Sequence, residues 1–352
     1  MGGVRKTATA TARSLKTAEW PAADRKAWET ACRPAIRLQR GGAAAHMKEV
    51  TRSDLVKRYG GFLGFLARTD RFDANATAAG LVTTGNVSAY VANLGDRVTS
   101  VTVYGSIQKL RRMAQLIAPS QEIAWLVELE RDLAVEMRPR PKWDRIVTSD
   151  ELVRAGLTLV AEGKLALHLP KLTQARMVRD GLMVSLLACC PIRLKNYAAL
   201  EIGVSFVRLD GIWWILLPAS ATKERRPDER PVPEFLFDTI ECYLEKYRPI
   251  LARKSDNTTA LWLAMNGRPM RYSYVRELIT NTTFSTLGVK VSPHMFRACG
   301  ATTSAIHAGD NPHLASALLH HRHPVVTAEH YNRATSVNAG KALADVTRLY
   351  RR

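Results

Sequence analysis

The chain has few cysteines for its length, five in 352 residues, and they are odd in number with no C-x-x-C spacing. That excludes a disulfide framework and a zinc ribbon, and Cys32, Cys189, Cys190, Cys242 and Cys299 read as reduced, mostly buried thiols. Long apolar runs are also missing. The longest, "GLMVSLLACCPI" (181–192), is too short to span a bilayer and is broken by Pro191, so no membrane partner is expected. The N-terminus lacks the apolar stretch of a secretory signal, and Lys6 stands where a myristoylation motif needs Ser or Thr. Its acid-poor composition is also that of a transit peptide, but it reads as a basic arm on a cytoplasmic protein. Glycine-rich phosphate loops and clusters of carboxylates are absent, so neither nucleotide hydrolysis nor carboxylate-held metal chemistry is indicated.

Acidic residues are scarce against basic ones, 32 against 51, for a formal charge of +19. Solubility alone does not need such an excess, and the natural partner is a polyanion. A hydrophobic content of 46% supports folded structure, and the length suits two domains.

Residues 1–44, rich in Ala, Thr, Arg and Lys, read as a loosely structured basic arm with one short helix around "ADRKAWETAC". From Thr51 the period becomes helical: Leu55, Tyr59, Phe62, Leu63 and Leu66 form one stripe after a Ser/Asp cap. Three further helical segments follow, so 45–136 reads as a compact helical unit of about four helices. "RPRPKWDR" marks a linker over 137–147. A second unit, 148–335, opens with the capped helix "TSDELVRAGLTLV" and a long apolar helix stopped by Pro191. Around Asp210-Gly211 the period changes to that of a hairpin, with a third short strand at "ERPVP", before helices return. Residues 336–352 are left as a tail. The expected fold class is mostly α, a helical domain followed by a mixed α/β domain with a small three-stranded sheet.

Histidines, arginines and one tyrosine crowd the C-terminal region, as in "LLHHRHPVVTAEHYNRA" (318–334). A tyrosine set among cationic and titratable side chains suits an anion better than a core. Joining a tyrosine to a phosphodiester requires three things: loss of the phenol proton, forked donors for a phosphate that gains charge, and an acid for the leaving alkoxide. Suitable residues occur in order along the second unit. They are Arg193 in "CCPIRLKNY", Lys223 in "ASATKERRP", His294 and Arg297 in "SPHMFRACG", His321 in "LLHHRHP" and Tyr331 in "AEHYNRA".

This set resembles the tyrosine recombinase, or phage integrase, family from about Met47 to Ala334, in order and in approximate spacing. The resemblance implies a core-binding domain over 45–136, a catalytic domain over 148–335, and a chain that clamps duplex DNA. It implies that Tyr331 is the nucleophile forming a 3′-phosphotyrosyl bond, that Arg193 and Arg297 clamp the scissile phosphate, and that Lys223 is the general acid. His294 and His321 would handle protons and charge. No cofactor, ATP or catalytic metal is implied, since the phosphotyrosine conserves bond energy. The implied partners are double-stranded DNA recombination sites and further copies of the chain, as a homotetramer on two sites. Leu343, Val346 and Leu349 in the tail are candidates for exchange between protomers, and accessory DNA-bending proteins are a further class that the resemblance allows.

Two positions depart from the family pattern: Asn196 stands where an acidic residue usually follows the first arginine, and His320 where glycine usually precedes the second histidine. His321 is favoured over His320 because it follows the paired leucines. Lys109, Arg111 and Arg112 on one helix turn, and Arg225, Arg226 and Arg230 near Lys223, are candidates for phosphate contact or for solvated basic faces. Trp213 and Trp214 are expected to pack the hairpin, one on each face. A type IB topoisomerase or resolvase and a non-catalytic DNA-binding protein with the same fold are the rival functions.

Overall fold

The computed structural model describes residues 14–38, 40–139, 145–222, 225–253 and 258–307. The chain divides into two compact units, one ending at Pro141 and the other beginning at Lys142.

The first unit contains α1 (Ala22–Cys32), α2 (Glu49–Arg68), α3 (Thr84–Gly95), α4 (Ser100–Ile117) and α5 (Ala124–Glu136). The stripe Leu55, Tyr59, Phe62, Leu63 and Leu66 is wholly buried, and α4 packs against all four of the other helices. Residues 14–38 and 40–44 correct the expectation of a loose arm. Trp20 and Trp28 enter the core, Trp20 meeting Tyr59 edge-on at 4.9 Å between ring centroids. Asp24, also fully buried, accepts hydrogen bonds from the Tyr59 hydroxyl (2.6 Å) and the Ala79 amide (2.7 Å). Burial raises its pKa while both donors pull it down. Gly60 lets the N-terminal segment lie directly on α2: a Cβ there would stand 2.2 Å from the Leu15 carbonyl, and the Leu15 amide donates to the Gly60 carbonyl at 2.9 Å. Average composition hides these contacts because a few residues, Trp20, Asp24 and Trp28 with the small Ala31 and Ala44, are the ones that enter the core.

The second unit starts with α6 (Ser149–Leu165), opened by a capping box in which Thr148 and Glu151 bond reciprocally. It packs along α7 (Lys171–Cys189), whose core-facing side chains extend around most of its circumference. The two backbones touch where glycines face each other, since a Cβ on Gly156 or on Gly181 would meet the other's carbonyl oxygen within 2.5 Å. Beyond the short α8 (Leu194–Ala198) come β1 (Phe206–Leu209), β2 (Ile212–Leu217) and β3 (Asp228–Pro231), an antiparallel sheet in sequence order. Leu209 pairs with Ile212 across Asp210 and Gly211, both at positive φ, as a two-residue hairpin turn requires. Trp213 is buried and stacks on Phe206 at 4.9 Å, while Trp214 on the other face is half-buried. α9 (Phe237–Cys242), α10 (Arg248–Ala252), α11 (Tyr272–Leu287) and α12 (Pro293–His307) complete the described unit. The fold is thus mostly helical with one small sheet, as expected. Among the described residues no helix is long and apolar enough to cross a membrane.

Candidate active site

Two chain reversals build the centre. Pro191 cannot continue α7, so the chain turns through Pro191 and Ile192 and restarts a helix with Arg193 as the N-cap of α8. α12 begins at Pro293, whose fixed φ suits a first helical position. Met295, Phe296 and Cys299 sink into the core and fix the rotation of α12. His294 is therefore exposed on the first turn, and Arg297 stands one turn later, three residues on and so on an adjoining face.

Arg297 is only 8% exposed, and its Nη1 donates to the Pro191 carbonyl at 2.8 Å. This bond joins α12 to the turn that carries Arg193. Burial, then the like charges of Arg193 and Arg230, hold the Arg297 guanidinium down at about 10, with Asp228 opposing them. A cation in such surroundings is under electrostatic stress, which an anion placed among the arginines would relieve.

The sheet contributes its part through β3, where Asp228 and Arg230 face inward and Glu229 and Pro231 outward. Arg230 donates from Nε to Asp228 Oδ1 at 2.7 Å and from Nη2 to Oδ2 at 3.0 Å, a forked pair with both residues largely buried. Cys190, beside Pro191, places its Sγ 3.9 Å from the Pro231 carbonyl oxygen, so the turn, α12 and β3 meet at one place.

Sequence reasoning left Arg230 between phosphate contact and a solvated turn; the structure buries it in this ion pair. Asp228 was missed altogether. The period of two in "DERP" was the available signal, because it puts Asp228 and Arg230 on one face of a strand.

Of the expected site residues, the structure brings Arg193 and Arg297 together and sets His294 on the helix of Arg297. Lys223, His321 and Tyr331 lie outside the described residues, as does the tail. Arg225, at φ +55°, and Arg226 are exposed, and the Arg226 backbone is bracketed by the Thr222 hydroxyl, which donates to its carbonyl (2.7 Å) and accepts from its amide (3.1 Å). Lys109 pairs with Asp54 at 3.3 Å, and Arg111 pairs with Glu130 and donates to Gln115 at 2.8 Å. Arg112 is exposed. Asn196 is buried in the first turn of α8.

Chemically, two guanidinia drawn together with a histidine on the same helix have the charge and donors to receive a tetrahedral oxyanion. Forked, permanently charged donors match phosphate oxygens, and an imidazole nearby can take or give a proton.

No family model matches the chain, and no curated protein matches it significantly. Among solved structures, it is similar to the XerH site-specific recombinase bound to a difH substrate in a pre-cleavage complex, with a TM-score of 0.54 and 12% identity over 80% of this chain and 76% of that one. A post-cleavage complex of XerH on palindromic difH gives a TM-score of 0.53 and 13% identity over 80% and 75%. At such identities the likeness is one of fold, and the fold is that of the tyrosine recombinases, as the sequence resemblance implied.

Proposed function

We propose that this protein is a site-specific tyrosine recombinase that cleaves and rejoins duplex DNA through a 3′-phosphotyrosyl intermediate. The observation that carries the reading is the tie of buried Arg297 to the Pro191 carbonyl beside Arg193, with His294 one turn away, in a fold shared with XerH. The Tyr331 oxygen attacks the scissile phosphorus, the bond from phosphorus to the 5′ oxygen breaks, and a free 5′ hydroxyl leaves. Lys223 gives that oxygen its proton, while His294 and His321 take up the phenol proton and steady the charge. Arg193 and Arg297 hold the non-bridging oxygens, whose charge rises in the transition state. The reverse attack by a 5′ hydroxyl from another strand reseals the backbone without an external energy source.

Duplex recombination sites are the substrate, and a homotetramer on two sites is the working assembly, with accessory DNA-bending proteins as further partners. The +19 charge serves duplex binding, which should weaken steeply as salt rises.

Incubation of the purified protein with DNA flanking its own gene in EDTA, followed by denaturation, should trap protein-bound DNA in the native chain and none in Tyr331→Phe. Salt-sensitive duplex binding without any Tyr331-dependent adduct on its true site would instead assign a non-catalytic DNA-binding protein. Relaxation of supercoiled DNA without partner exchange would assign a topoisomerase.

A further inference from the structure

The buried pair on β3 has a place in this site beyond holding the strand. Asp228 and Arg230 project to the same side of β3, and the next residue, Pro231, receives the Cys190 thiol at 3.9 Å. Adjacent to Cys190 is Pro191, whose carbonyl accepts from Arg297. Two short links therefore connect the pair to the arginine clamp. Around Arg297 the largest charge effects come from two cations, Arg193 and Arg230, against one carboxylate, Asp228. The α8 position three residues after Arg193, which shares its face of the helix, is occupied by the neutral Asn196. Carboxylate charge at this centre comes from the strand, not from α8.

We infer that Asp228 is a positioning residue: its carboxylate grips Arg230 in a forked pair and supplies the negative charge that keeps the three guanidinia together while no phosphate is present. This rests on reading the site as a phosphate clamp. When a phosphodiester enters, its own charge takes over part of that task, and the geometry is already set. A carboxylate so close also repels the phosphate, so Asp228 trades binding strength for alignment.

The test uses inorganic phosphate as the probe, titrated at constant ionic strength with the thermal midpoint as readout. Asp228→Asn should unfold at lower temperature without phosphate, bind phosphate about tenfold more tightly than the native chain, and form the Tyr331-dependent adduct more slowly. Restoring a carboxylate on α8, in Asn196→Asp/Asp228→Asn, should return phosphate affinity and the adduct rate toward native values. Equal phosphate affinity in Asp228→Asn and the native chain would overturn the inference, leaving the pair a strand fastener only. Should Asp228→Asn not fold, the double variant still decides: it folds if charge balance is what was lost, and stays unfolded if the forked hydrogen bonds were. A native chain that forms no adduct would defeat the recombinase reading alone, because the phosphate titration reads the charge role independently.

Discussion

Three arginines are buried among the described residues of the second unit, and two of these burials, at Arg179 and Arg297, differ in kind. Arg179, fully enclosed on α7, donates from Nε (2.8 Å) and Nη2 (2.6 Å) to Asp180 and from Nη1 (2.7 Å) to the Leu263 carbonyl. Burial raises the Asp180 carboxyl, and the Arg179 charge pulls it back down. That guanidinium is matched to a carboxylate on the neighbouring residue and fastens α7 to the segment at Leu263. Arg297 is nearly as buried, yet its strongest charged neighbours include two cations, and its protonated form is disfavoured to about 10. A buried arginine is thus not a functional signal by itself; the sign of what surrounds it is. Arg179 has a carboxylate on the adjoining residue, whereas Arg297 sits among other cations, where an added anion would be favoured.

Substitution can break this contrast. Arg179→Met should cost roughly 3–5 kcal/mol of stability, because it strands the Asp180 carboxylate in the interior, and the denaturation midpoint should fall equally with and without phosphate. Arg297→Gln should do the opposite. Its adduct rate should drop on the order of 10²–10³-fold, as for loss of one donor to a charged transition state, with an unfolding free energy changed by less than about 1 kcal/mol. Phosphate should also stop stabilising that variant. If Arg297→Gln unfolds as badly as Arg179→Met, the distinction between the two burials fails.

Much of this was legible in the sequence, and what was not has a physical cause. Pro191 ending a long apolar helix, Asp210-Gly211 between strands, and the spacing from His294 to Arg297 are local signals, and each maps onto the expected element. Contacts between segments distant in sequence were invisible. Asp24 bonding Ala79 across 55 positions turned a compositionally loose arm into core. The approach of β3 to the turn after α7, with Cys190 against Pro231 41 positions away, made Asp228 part of the site. Composition reports averages, and periodicity reports faces; neither says which two faces meet.

The same contrast recurs in milder form on α4, where two adjacent arginines were indistinguishable by sequence. Arg111 is partly buried against Glu130 and Gln115, whereas Arg112 is exposed on the next position of the helix. If matched arginines are structural and exposed ones bind phosphate, the substitutions should separate cleanly. Arg112→Gln should flatten the dependence of log affinity on log salt by about 1, the value of one lost phosphate contact, and leave the thermal midpoint unchanged. Arg111→Gln should leave that slope alone and lower stability by less than about 1 kcal/mol, the range of a partly exposed ion pair. Slopes equal to the native one in both variants would mean that α4 offers its basic turn to solvent, and that the proposed duplex binding draws on charge elsewhere on the surface.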